Sequence, residues 1–374
     1  MKAEWEEKSV GEILQLEYGK PLDASDRIPD GRYPVYGANG QIGRTNKFYY
    51  DKPSIIVGRK GSAGEINLSE EKFWPLDVTY FVTLDEQRYD LRFVFYLLTT
   101  LELQKLAKGV KPGINRNEVY SQVTKAPPLP EQHRIVAILD EAFAGITTAR
   151  TNAEQNRQNA RALFESHLQS IFTQHGEGWV NSTIGAEIRF IDYRGKTPVK
   201  TANGIRLITA KNVKMGYLQE TPMEFIATAS YEGWMTRGIP KKGDVLFTTE
   251  APLANVAQLD TDEKVAFAQR IIIMQPNAAK LDSTFLKYLM LSQPAQKRIR
   301  TQGTGATVQG IKASLLKTIE ISFPRTIAEQ EQIVAEFDSL HEETQRLESL
   351  YQQKLAALDE LKKSLLHQAF SGQL

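Results

Sequence analysis

Residues 131–172 and 329–370 align without an insertion or deletion, and this repeat constrains the fold more than any other feature of the chain. Glu131-Gln132-His133-Arg134-Ile135-Val136 maps onto Glu329-Gln330-Glu331-Gln332-Ile333-Val334, which sets the offset at 198. The same offset carries Asp140 onto Asp338, Leu163 onto Leu361, Leu168 onto Leu366 and Phe172 onto Phe370. Upstream, Trp5 with Val10-Gly11 matches Trp179 with Ile184-Gly185, and Asp90-Leu91-Arg92-Phe93 matches Asp282-Ser283-Thr284-Phe285. The chain is therefore one plan written twice, a globule followed by a helix.

Both repeated helices have readable ends. The first begins after Pro127-Pro128-Leu129-Pro130, where a proline costs no hydrogen bond because first-turn N–H groups have no helical partner, and ends near Gly176. The second begins at Thr326, with Glu329 three residues on as a capping box, and ends at Gly372. In it Ile333, Phe337, Leu340, Leu347, Tyr351, Leu358, Leu361 and Leu365 follow alternating steps of four and three, interrupted by Thr344 and Lys354. The first helix sets Ile135, Leu139, Ala142, Ile146, Ala149, Ala153, Ala160 and Leu163 at equivalent spacing. Its small middle needs a bulky partner, so an antiparallel pairing predicts Ala149 and Ala153 near Leu347 and Tyr351.

The globules read as mixed α/β. Ser54–Val57, Asp77–Leu84, Gly243–Thr248 and Val265–Met274 are rich in β-branched and aromatic residues, whereas Asp90–Lys108 and Asp282–Arg300 have helical apolar spacing. The predicted organisation is thus α+β: a globule over 1–130, a helix over 131–176, a second globule over 177–328 and a second helix over 329–374.

Charge separates the two halves. Residues 1–130 carry 18 basic and 18 acidic side chains, but 179–328 carry 20 basic against 12 acidic, while 329–374 carry 4 against 9. A basic globule beside an acidic helix fits a phosphate-binding domain joined to a connector that does not face DNA. Cysteine is absent, which excludes disulfides and thiolate metal sites, and a charged N-terminal stretch from Met1 to Val10 with no long apolar run points to a cytoplasmic protein without a membrane span.

Pro127-Pro128-Leu129-Pro130-Glu131-Gln132-His133-Arg134-Ile135-Val136-Ala137-Ile138-Leu139-Asp140 resembles the start of the central helix in type I restriction-modification specificity subunits. Gly58-Arg59-Lys60-Gly61-Ser62-Ala63-Gly64 and Leu207-Ile208-Thr209-Ala210-Lys211-Asn212 resemble parts of that family's target recognition domains. The second junction, Phe323-Pro324-Arg325-Thr326, departs from the pattern in lacking the tight proline run. The resemblance spans essentially the whole chain. It implies two target recognition domains, each reading half of a bipartite site in double-stranded DNA, with an antiparallel coiled-coil pair between them that fixes their separation. It also implies docking of two modification (methyltransferase) subunits, which would bind S-adenosylmethionine and methylate a flipped adenine, and of restriction/translocase subunits that would use ATP and Mg2+.

No chemistry of the chain's own is written in its motifs. An Asn-Pro-Pro-Tyr type loop and a phosphate-cradling Gly-x-x-x-x-Gly-Lys are both missing, the histidines lack zinc spacing, and Asp140-Glu141 reads as a solvated helix face. No cofactor is expected in this chain. Candidate DNA contacts are nominated by residue type. In the first half they are Arg59, Lys60 and Ser62 in a glycine-rich turn and Lys108, Lys111, Asn115 and Arg116 in a second polar loop. In the second half they are Arg194, Lys196, Lys211, Asn212, Lys297, Arg298, Arg300, Gln302, Thr304 and Lys312. Arginine suits guanine and asparagine suits adenine through paired hydrogen bonds, and these residues supply phosphate partners or base readers without the sequence saying which reads which base. Asn212 is one candidate base reader, whose loss should relax one half-site and leave the other intact. Two other readings fit the residues alone: a coiled-coil scaffold joining protein-binding domains, and a self-contained DNA-acting enzyme with scattered carboxylates.

Overall fold

A computed structural model describes residues 5–374 apart from 194, 196, 269 and 306–308. The chain divides into two compact units, one made of Met1–Glu154 with Gln352–Leu374 and the other of Gln155–Tyr351. Each unit combines one globule with one half of each long helix.

In the first unit, strands Leu14–Tyr18, Thr79–Leu84, Ser54–Gly58 and Ile66–Ser69 form an antiparallel sheet in that order. A smaller sheet joins Gly40–Thr45, Tyr33–Gly37 and Trp74–Pro75, and strand Glu6–Ser9 pairs with Val123–Ala126 just before the first long helix. The second unit repeats the plan. Ile188–Asp192, Ile271–Pro276, Val245–Thr248 and Val256–Gln258 form the antiparallel sheet, and Trp179–Thr183 pairs with Glu320–Pro324 before the second long helix. A further sheet orders Lys200–Thr201, Glu224–Ile226, Ile205–Ile208 and Val265–Phe267.

Three stretches differ from their expected form. Val265–Met274 is two strands in two sheets, broken where Arg270 turns to φ +78°. Asp90–Lys108 is a helix only over Leu91–Thr100, because Glu102 takes a left-handed conformation and a 3-10 turn follows. Asp282–Arg300 is broken at Ser292, whose extended backbone separates helix Ser283–Leu291 from Gln293–Gln302, the latter carrying a proline in its first turn.

The long helices run over Leu129–Thr173 and Ile327–Phe370. The Thr326 hydroxyl accepts from the Glu329 N–H at 3.3 Å and donates to the Glu329 carboxylate at 2.8 Å, so the cap is closed through the hydroxyl. Within the first unit Arg150 pairs with Asp359 at 2.5 Å and Lys362 lies over the Phe143 ring. Within the second, Arg161 pairs with Glu348, and Phe172 stacks on Phe337. In both, numbers rise along one helix as they fall along the other, so the halves pack antiparallel.

The register differs from expectation. Within the first unit the Arg150–Asp359 pair sets the stretch around Ala149 alongside the stretch from Leu355 to Asp359. Leu355 is buried and Leu361 is exposed, whereas a strict alternation had placed Lys354 and Leu361 in the seam. Leu163, equivalent to Leu361, is exposed as well, at 61%. The cause is the 3.6-residue period of a straight helix, which drifts from a 3.5-residue seam and after Tyr351 brings round the fourth residue instead of the third. Thr344, read as an interruption, is buried in the seam with its hydroxyl donated to the Leu340 carbonyl.

What joins each helix to its globule is the same in both copies. Gln132 is fully buried; its Oε1 accepts from the Asp90 N–H at 2.9 Å and its Nε2 donates to the carbonyls of Arg88 and Pro127 at 3.0 and 2.8 Å. Gln330 does the same with the Asp282 N–H and the carbonyls of Lys280 and Pro324, each at 2.8 Å. Eight residues on, Asp140 accepts from the Tyr96 hydroxyl and Asp338 from Tyr288, both at 2.5 Å. Asp140 is therefore an anchor and not the solvated position expected. Burial first, and then the hydrogen bond to Asp140, push the Tyr96 phenol up to about 12, so it remains a donor at neutral pH.

Gln330→Leu removes the partner of one N–H and two carbonyls at once, at a side chain that is itself fully buried. At about 1–3 kcal/mol for each orphaned group, an overall loss of about 3 kcal/mol or more is expected. Glu329→Ala, at an exposed position, shifts stability by about 0.5 kcal/mol. Denaturant unfolding of both variants checks the contrast.

Candidate nucleic-acid interface

The turn between strands Ser54–Gly58 and Ile66–Ser69 is built by its glycines. Gly61 and Gly64 both adopt φ +86°, and a Cβ at Gly64 would lie 2.4 Å from the Gln104 nitrogen. The turn is clamped to a second loop: the Gly61 N–H donates to the Pro112 carbonyl at 2.8 Å and the Ile114 N–H to the Arg59 carbonyl at 3.0 Å. That second loop is closed by paired hydrogen bonds between Lys108 and Gly113 at 3.0 and 3.1 Å. Two loops distant in sequence thus form one ledge in the first unit.

Lys60, Ser62, Lys108 and Lys111 are exposed there. Among the described residues Lys60 and Lys111 have no ion-pair partner, whereas Lys108 is paired with Glu118. Arg59 is half-buried, donates to the Asp77 carbonyl at 2.6 and 3.1 Å and lies 5.3 Å from the Tyr18 ring, which Arg116 covers at 5.2 Å. Those two arginines brace the ledge. Asn115 caps the short helix Arg116–Tyr120, accepting from the Asn117 N–H at 2.9 Å.

The second unit contains the same ledge under a different sequence. Its turn joins strands Val245–Thr248 and Val256–Gln258, with the Ala254 N–H donating to the Thr248 carbonyl at 2.9 Å just as Gly64 donates to Gly58 at 2.8 Å. The Ile311 N–H reaches the Thr249 carbonyl at 2.9 Å, and the clamped loop is closed between Thr304 and Gly310 at 2.8 and 2.9 Å. Ala251 and Ala254 stand where the first copy has glycines, at φ +46° and +68°. The sequence reading missed this turn. Aligning Leu246-Phe247-Thr248-Thr249-Glu250-Ala251 with Ile56-Val57-Gly58-Arg59-Lys60-Gly61 would have found it, but every glycine and both cations are replaced.

Among the other nominated positions of this unit, Lys211, Thr304 and Lys312 are exposed. Lys297, Arg298 and Arg300 lie exposed on the helix Gln293–Gln302, with Arg298 donating to the Glu320 carbonyl at 3.1 Å and Arg300 to Gln296 at 3.3 Å. Gln302 is half-buried, and its Oε1 is buried without a hydrogen-bond partner. Arg194 and Lys196 lie outside the described residues. Asn212 must be corrected. It is 1% exposed; its Oδ1 accepts from the Thr209 N–H and hydroxyl at 3.0 Å, and its Nδ2 donates to the carbonyls of Gln219 and Pro222 at 3.0 Å. It ties a loop together and has nothing left for a base. Among the described residues no group of three or more His, Asp or Glu side chains is arranged to hold a metal ion, and no helix is long and apolar enough to cross a membrane.

Comparison with known proteins matches the chain twice, over residues 2–156 and 194–356, to the family described as type I restriction modification DNA specificity domain. The EcoDI specificity subunit of Escherichia coli is 20% identical over 100% of this chain and 89% of its own length. In fold, the chain is similar to one from structural work on complex assembly and conformational transition of the type I R-M system, with TM-score 0.78, 17% identity and complete coverage of both chains. It is also similar to the HsdS subunit from Thermoanaerobacter tengcongensis, with TM-score 0.61, 18% identity and coverage of 99% and 97%.

Lys111→Ala and Lys297→Ala, one in each unit, each remove one unit of positive charge from an exposed loop or helix. Each is expected to weaken DNA binding across sequences and to lower the slope of log K against log salt by about 0.9. Asn212→Ala instead lowers the stability of its unit by about 2–4 kcal/mol through orphaned backbone groups. Salt titrations of binding and thermal melts separate the two effects.

Proposed function

This chain belongs to the type I restriction-modification DNA specificity family, and from that premise we propose how its parts divide the work. It is the DNA-recognition subunit of such a system and is not itself catalytic. Each unit reads one half of a bipartite site in double-stranded DNA through its clamped pair of loops, with lysines on phosphates and neighbouring polar side chains on base edges. The observation that carries this reading is the recurrence of one ledge, with the same backbone bonds, on two globules whose turns differ at every glycine and both cations while the clamped loops share Gly-Ile at 113–114 and 310–311. A fold that conserves the frame and varies the exposed side chains is suited to reading two different half-sites.

The partners are a second part of the proposal. Leu163 and Leu361 are large apolar side chains, exposed at 61% and 47%, at equivalent positions of the two helices. Matched apolar positions support two equivalent docking sites, one for each of two modification subunits. Those subunits would supply S-adenosylmethionine and transfer its methyl group to an adenine, and restriction/translocase subunits would supply ATP and Mg2+ chemistry. The working compartment is the cytoplasm, where the DNA is.

The purified chain is expected neither to methylate DNA nor to hydrolyse ATP, while the complex with its modification subunit methylates. Native mass spectrometry of that complex gives two modification subunits per chain. Leu163→Glu or Leu361→Glu leaves one, and the double variant none. Methyl transfer by the chain alone, or unchanged stoichiometry in the double variant, contradicts the proposal.

A further inference from the structure

On the second ledge the position of Lys60 is taken by Glu250, and Arg270 stands where the first copy has Val78: the Arg59 N–H donates to the Val78 carbonyl at 2.8 Å and the Thr249 N–H to the Arg270 carbonyl at 2.9 Å. The Arg270 Nε lies 2.9 Å from the Glu250 Oε1, and both side chains are nearly half exposed, at 47% and 46%. We propose that this pair is a base-reading element of the second unit: Glu250 accepts from a cytosine N4 amino group, and Arg270 donates to the O6 and N7 of guanine. The proposal rests on the reading above that the clamped turns face DNA.

Charge is the first argument. A carboxylate on a phosphate-binding surface is repelled by the polyanion, and the only groups DNA offers it are base N–H donors. The second globule is otherwise strongly basic, with 20 basic against 12 acidic side chains over 179–328, so an acid at the crest of its turn works against bulk affinity. Arg270 offsets that repulsion until the base arrives. An exposed ion pair adds little to stability, so exchanging it for contacts with the correct bases loses little, whereas the wrong base leaves both charges desolvated and unpaired.

Backbone conformation is the second. Four non-glycine residues have positive φ among the described residues, and three of them are Ala251, Ala254 and Arg270. The first copy makes the same turn with Gly61 and Gly64, so the fold itself does not demand alanine there, and the strained conformers hold the pair in one direction. The loop behind them adds to this. A Cβ at Gly310 would stand 3.2 Å from the Glu250 Cβ and 3.5 Å from its Oε2, so the bare glycine leaves room for the carboxylate to lie along the clamped loop beside Arg270.

The test uses the complex with the modification subunit and maps methylated adenines across a genome. In Glu250→Gln, whose carboxamide pairs with adenine, one base-pair position of one half-site is expected to lose its discrimination for cytosine by about tenfold or more, with adenine gaining. Arg270→Lys relaxes a guanine at the same or the adjacent position. The other half-site stays unchanged in both variants. If the pair merely braces the turn, both variants lower melting temperature or overall methylation and leave every position of the motif as in the parent; that result overturns the proposal. A parent complex that marks no defined motif overturns the underlying reading, and the pair with it.

Discussion

Two buried carboxamides hold this architecture together. Gln132 and Gln330 each satisfy one N–H and two carbonyls at the point where a strand ends, a long helix begins and a globular helix is capped by Asp90 or Asp282. A helix of about 65 Å, at 1.5 Å per residue, turns small errors at its root into large displacements at its far end. Three hydrogen bonds from one rigid amide, with a Tyr–Asp bond two turns further on, fix that root in both position and rotation. The Glu-Gln repeat is conspicuous because the amide is the one side chain of its size that offers two donors and an acceptor in a plane.

The second consequence concerns how the helices are shared. Phe172, at the end of the first long helix, packs on Phe285 in the second unit, and Phe370, its counterpart in the repeat, packs on Phe93 in the first. Each core is thus completed by a helix that began on the other copy of the plan. The aromatic cluster of Phe172, Phe285, Tyr288 and Phe337 closes the second unit in this way, and a core residue such as Phe337, fully buried, would cost about 3–5 kcal/mol on truncation. Neither half of the sequence supplies a complete core by itself.

Much of this was legible in the residues. The ungapped repeat, the helix ends near Pro130 and Thr326 and the order of globule and helix follow from periodicity and capping alone. The seam was legible over most of its length, from Ile135 through Ala160 and from Phe337 through Tyr351, but a 3.5-residue extrapolation drifts from a straight helix, and Leu163 and Leu361 fell on the wrong face. The breaks at Glu102, Ser292 and Arg270 were hidden, since nothing in an apolar run announces a left-handed residue. At the interface, glycine and lysine disclosed the first ledge, and their replacement by alanine and glutamate concealed the second. Asn212 was misassigned because its side chain has the right chemistry for adenine and the right chemistry for closing a loop, and only burial distinguishes them.

The account stands on one claim, that a duplicated plan presents two separate reading surfaces. Selection of bound duplexes from a random-sequence library, by this chain assembled with its modification subunit and without methyl donor, tests it most directly. The enriched pool should contain two short, different motifs separated by an unselected gap of constant length. One contiguous motif, or a pool no different from the starting library, would contradict it.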